Sequence, residues 1–285
     1  MQISKRKTVL LSLLGTTLIG MTACVTHTIP HLRHETAKRL AMPSFMLERH
    51  IEAEPFMLTA WERIHNRGGA ATVYVDGDGL TWSGTETDSH DPTPTNPVAL
   101  HLATRDLSKN VIMLARPCHY TGLADGTMCS VEGWTQSRFS PETVGAMNSA
   151  LDNIKRRYNI SEFNFVGYDG GATMVSLLAA ERDDVKTIRT VAGKLNYSET
   201  ELMKDEDIDH FDAITVATKI SDIPQQHFIG EWDDFVQPHV YDSYKAASGN
   251  STCVKASIVK ETTHDKGWVS RWPELLKAPL NCEAD

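Results

Sequence analysis

Apolar positions along this 285-residue chain fall into two alternating kinds of run. Short stretches rich in Val, Ile and aromatic residues, each closed by Gly, Pro or acidic turn residues, predict strands at Phe56–Ile64, Ala71–Val75, Asn110–Ala115, Phe163–Val166, Thr187–Val191, His227–Gly230 and Cys253–Val259. Helices are predicted at Val98–Arg105, Pro141–Tyr158, Gly171–Arg182, Val240–Ala247 and Trp272–Lys277. In the longest of these, Val144, Met147, Leu151 and Ile154 recur at three- and four-residue steps, with Ser140 placed to cap and Pro141 at the first position. Asn96 or a neighbour can cap the helix that starts beside Pro97. Strands apolar on both faces, alternating with helices, predict an α/β fold: a mostly parallel sheet flanked by helices. Functional groups then belong on loops at the carboxyl ends of the strands.

The first residues read differently. Lys5, Arg6 and Lys7 precede a short apolar run from Thr8 to Ile19, and Gly20-Met21-Thr22-Ala23-Cys24 follows. This is a secretory signal over 1–23, too short to span a bilayer comfortably. It resembles a bacterial lipoprotein signal, which implies lipid on Cys24; an ordinary signal cut near Ala23 is the other reading. Residues 24–54 read as a polar tether holding His27, His31, His34 and His50, without the cysteine or carboxylate spacing of a metal site. The folded domain is expected over 55–285.

Loss of Lys5, Arg6 and Lys7 with the signal takes the formal charge from −9 to −12. An acidic chain is a poor match to nucleic acid. Membrane attachment is then expected through lipid on Cys24, not through a basic patch. Of the other cysteines, Cys118 with Cys129 and Cys253 with Cys282 is the favoured pairing of three, since each closes a short loop in an oxidising compartment.

The candidate chemistry lies at three predicted strand ends. Phe163-Asn164-Phe165-Val166-Gly167-Tyr168-Asp169-Gly170-Gly171 runs from an apolar strand through a glycine-bounded turn into an apolar helix. That is the setting of the G-x-S-x-G nucleophile elbow, with Asp169 at the serine position. Asp233 follows the strand ending at Gly230, with Asp234 in reserve, and His264 follows the last strand. Nucleophile, acid and histidine come in the order of α/β-hydrolases. The Gly170 amide, with that of Gly79 or Leu80 in Asp76-Gly77-Asp78-Gly79-Leu80, would form an oxyanion hole.

With Val75–Gly79, Asp91–Pro97, Leu114–Tyr120, the elbow, Thr190–Gly193 and the His264 loop, the chain resembles an α/β-hydrolase, in particular the exported bacterial lipoprotein branch. The resemblance implies cleavage of ester-type bonds of a small-molecule substrate, no cofactor, no metal, and at most a small lid over Leu195–Pro224. Asp169 departs from it. A carboxylate attacking an ester would give an anhydride, whereas at saturated carbon it gives an ester that water can hydrolyse. Three readings stay open: a hydrolase by descent altered or weakened by Asp169, an aspartate-nucleophile hydrolase of the epoxide or haloalkane type, and a non-catalytic binding lipoprotein.

Overall fold

The computed structural model describes residues 30–81, 89–121, 129–200 and 211–283. The expected signal peptide and Cys24 lie outside these residues, as does 201–210 of the expected lid.

Eight strands form one sheet: β1 (Leu47–Ala53), β2 (Phe56–Ile64), β3 (Ala71–Val75), β4 (Asn110–Leu114), β5 (Phe163–Tyr168), β6 (Val185–Val191), β7 (Gln225–Gly230) and β8 (Val254–Val259). Their spatial order is β1-β2-β4-β3-β5-β6-β7-β8. β1 and β2 are antiparallel, and β2 is antiparallel to β4; every pairing from β4 to β8 is parallel. The mostly parallel sheet predicted from the strand–helix alternation is thus present. The helices are α1 (30–41), α2 (Val98–Arg105), α3 (Val131–Trp134), α4 (Pro141–Tyr158), α5 (Gly170–Glu181), α6 (Ala213–Val216), α7 (Pro238–Ala247) and α8 (Trp268–Leu275).

The two-residue period of the strands divides the core. Val73, Val75, Ile112 and Leu114 point to one face and pack with Met147, Leu151 and Ile154 of α4 and Met174 and Leu178 of α5. Tyr74, Val111 and Met113 point to the other, against Ala37 and Ala41 of α1, Leu102 of α2 and Trp268 and Trp272 of α8. Both faces are covered, which is why these strands lack a polar side. Ser140 caps α4 as expected, its hydroxyl accepting from the Thr143 amide.

The structure differs from the sequence reading at the start of the chain. Residues 30–53, expected within the 24–54 tether, include α1 and the edge strand β1, so folded structure begins before Pro55. The segment looked polar because α1 buries only small residues, Ala37 and Ala41, and because charges on β1 are paired: Arg49 grips Glu62 at 2.6 and 2.8 Å, and His34 meets Glu48 at 2.8 Å. The last helix also starts earlier than expected, at Trp268, with Pro273 inside it.

Candidate active site

Three strand-end loops build the site. β5 runs into α5 through Asp169, whose backbone sits at φ 51° and ψ −124°. The turn is pinned by its own chain: the Asp169 amide donates to Val191 O at 3.1 Å, and Asp169 O accepts from Ala172 N at 3.0 Å and Lys194 N at 3.1 Å. A positive φ on a non-glycine residue is a costly conformation kept where function or packing holds it. Glycine is needed at Gly171, where a Cβ would lie 2.3 Å from Val75 O. It is needed at Gly77 for a second reason, since a Cβ there would lie 2.5 Å from the Asp169 carboxylate.

The loop after β7 supplies Asp233. Its Oδ1 accepts from the amides of Phe235 and Val236, both at 2.9 Å, which fixes the carboxylate. Asp233 is buried and Asp234 is exposed, so the choice between them follows from burial. The loop after β8 supplies His264. Trp268 Nε1 clamps it by donating to Thr263 O and His264 O at 2.9 and 3.0 Å.

These residues converge. His264 Nδ1 donates to Asp233 Oδ2 at 3.0 Å, and Nε2 stands 3.2 Å from Asp169 Oδ1. The rings of Tyr168 and Phe235 flank the imidazole at 5.7 and 5.5 Å. Burial alone would lower the His264 value, but its hydrogen bonds to Asp169 and Asp233 outweigh that and raise it to about 9. The ring is therefore an imidazolium at neutral pH, donating from both nitrogens.

The amides differ from the expected oxyanion hole in one respect. Leu80 N donates to Pro92 O at 3.0 Å and is spent there. Gly79 turns the loop at φ 71°, where a Cβ would lie 2.0 Å from Pro92 O. The Asp78 amide is the one that reaches the elbow, donating to Asp169 Oδ2 at 3.0 Å. Gly170 opens α5, so its amide belongs to the unpaired first turn of that helix.

Lys194, just past Thr190–Gly193, carries no role in the sequence reading. Its ammonium bridges Asp169 Oδ1 at 2.8 Å and Asp78 Oδ2 at 2.9 Å. Asp78 also pairs with Arg116 Nη1 at 2.6 Å, accepts from Tyr197 OH at 2.9 Å, and has Arg138 Nε at 3.7 Å. Burial raises the cost of ionising Asp169 and Asp78. Lys194 overcomes it for both, aided by the arginines at Asp78 and His264 at Asp169, and both stay well below the ordinary carboxylate range. The same two carboxylates hold the Lys194 ammonium above its ordinary value against burial. The sequence signal for this lysine was its place at the end of β6, on the same rim as the elbow. Asp76 behaves oppositely. Burial pushes it up to about 7, against the Ala99 and Gly77 amides that donate to its Oδ1.

Both predicted disulfides are present, Cys118–Cys129 and Cys253–Cys282.

An elbow between a parallel strand and a helix, an acid after β7 and a histidine after β8 together define the α/β-hydrolase fold. Solved structures share it. An esterase of Pyrococcus furiosus aligns with a TM-score of 0.59 at 14% identity, over 86% of this chain and 95% of the other. Est1E from Butyrivibrio proteoclasticus gives 0.54 at 12%, over 81% and 96%. An α/β serine hydrolase homologue from Coxiella burnetii gives 0.51 at 14%, over 80% and 93%. At such identities the likeness is one of fold. No protein-family model matches the chain, and no curated protein is similar to it in sequence.

Proposed function

We propose that this chain is an exported, lipid-anchored protein of the α/β-hydrolase fold whose ester-cleaving chemistry is weakened by the carboxylate at position 169. The observation that carries the reading is that both Asp169 oxygens are engaged: Oδ1 by Lys194 and His264, Oδ2 by the Asp78 amide. Ester hydrolysis by a triad needs a neutral imidazole to take the nucleophile's proton and free amides for the oxyanion. Here the imidazole holds its proton to about pH 9, and one candidate oxyanion donor is occupied by the elbow side chain itself. Such a site favours binding a small molecule over cleaving its ester. Hydrolysis of p-nitrophenyl esters by the parent protein should match that of His264→Ala; a hundredfold drop in the variant would overturn the proposal.

One distance favours the aspartate-nucleophile reading: Asp169 Oδ1 stands 3.2 Å from His264 Nε2. Lys194 opposes it by neutralising the same oxygen. Turnover of an epoxide or haloalkane in heavy-oxygen water, with label entering Asp169, would select that reading.

Attachment rests on the signal pattern ending at Cys24, which is followed by Val25. Cys24→Ser should move the protein from the membrane fraction to the soluble one.

A further inference from the structure

The pole of the molecule away from the site carries an exposed apolar patch. Met42 is 70% exposed, Phe45 78%, Leu47 74% and Leu107 91%. They form a built surface. Phe45 is held at φ 56° by a bond from its amide to Met42 O at 3.0 Å, while Met46 turns inward and is buried. On either side of buried Met46, Phe45 and Leu47 both stand exposed. Arg63 ties this turn to the other strip, donating to Ser44 O at 3.2 Å and to Asp106 O, next to Leu107. Leu47 opens β1 opposite Glu62, and β4 starts at Asn110 opposite Ile64. The patch thus sits at the amino ends of the parallel strands.

The charge around it is opposite to that of the whole chain. Arg63 links its two halves, and Arg105 and Lys109 stand exposed on either side of Leu107. Asp106 is buried, Glu62 is taken by Arg49, and Glu48, beside Leu47, is taken by His34 and Lys38. An isologous contact with a second copy would bring these cations against their own counterparts. An anionic lipid surface complements both the apolar side chains and the charge. No basic run in the sequence marks this face, so a basic patch was not expected there; the fold assembles it from the separated Arg63, Arg105 and Lys109.

We infer that Met42, Phe45, Leu47 and Leu107, with Arg63, Arg105 and Lys109, form a docking face for an anionic membrane surface, which leaves the candidate active site pointing away from the bilayer. This inference does not use lipid on Cys24.

The test is co-sedimentation of the full chain carrying Cys24→Ser with phosphatidylglycerol-containing and pure phosphatidylcholine vesicles. Any contribution of the leader is common to that protein and its variants. Binding should favour the anionic vesicles and weaken with added salt. Phe45→Asp with Leu107→Asp should reduce it at least tenfold, and Arg105→Gln or Lys109→Gln about fivefold each. Leu107→Asp alone keeps the test open if the double variant folds poorly, which a melting curve reports. Equal binding by parent and variants, or no preference for anionic lipid, overturns the inference. So does a concentration-dependent dimer that the variants split while vesicle binding is unchanged, since that assigns the face to a second copy.

Discussion

Asp169→Ser is the most informative single change, because it alters the nucleophile, the base and the oxyanion hole together. With the carboxylate gone, His264 keeps Asp233 but loses the partner at Nε2. At a value of about 9, roughly one imidazole in a hundred is neutral at pH 7. If half of the rise above the ordinary value goes with Asp169, the neutral fraction grows about 15-fold; if all of it goes, about 75-fold. The Asp78 amide is also released for an incoming oxyanion, and Lys194 keeps Asp78 as a counter-ion. The elbow backbone is already in the geometry a nucleophilic hydroxyl needs. General-base assistance alone is worth about 10²–10⁴, so kcat/KM for p-nitrophenyl acetate should rise on the order of a hundredfold. An acyl-enzyme burst and fluorophosphonate labelling at position 169 should accompany it. A folded Asp169→Ser protein with no burst and no label would show that the converging groups do not form a workable triad.

The remaining predictions concern stability. Lys194→Met leaves Asp169 and Asp78 without their shared buried cation, which should cost about 3–5 kcal/mol in urea unfolding. The folded value of His264 lies above its ordinary one, so its contribution is complete below about pH 6.5 and is lost as pH rises through about 9. The loss is about 3 kcal/mol, and His264→Gln should flatten this limb of the stability–pH curve. Asp76 is raised to about 7, so the protonated form is favoured in the fold, and stability falls as pH rises from its ordinary value of 3.8 to about 7. Asp76→Asn should therefore gain up to about 4 kcal/mol at pH 8 and little at pH 4. Replacing both Cys253 and Cys282 by serine opens a loop of sequence separation 29 and should cost about 3–4 kcal/mol.

Much of the framework was legible because it rests on local rules. The β3, α2 and α4 boundaries follow from apolar periodicity and, for α4, from Ser140 and Pro141; the side-chain cap expected from Asn96 on α2 is not formed, since Pro97 is the N-cap there. The elbow was visible because glycine spacing around a strand end is a backbone requirement. Asp233 and His264 were legible from their order and from their places after β7 and β8. β1 and α1 were missed because small residues and paired charges make a buried edge look like a linker. The last helix, expected at Trp272–Lys277, starts at Trp268 and carries Pro273 inside it.

Sequence alone determined the strands from β2 to β8, the elbow and the fact that a carboxylate occupies its tip, since each depends on side-chain type at fixed spacing along a few residues. The tertiary structure decided what that carboxylate does. Lys194 and Asp78 lie 116 positions apart, and only the parallel stacking of β3, β5 and β6 brings their charges onto Asp169. Electrostatic energy depends on separation in space and on burial, and neither quantity is written in local order. The same holds for the Asp78 amide: its direction is set by the turn at Gly79 against Pro92, a contact that no spacing rule along the chain specifies.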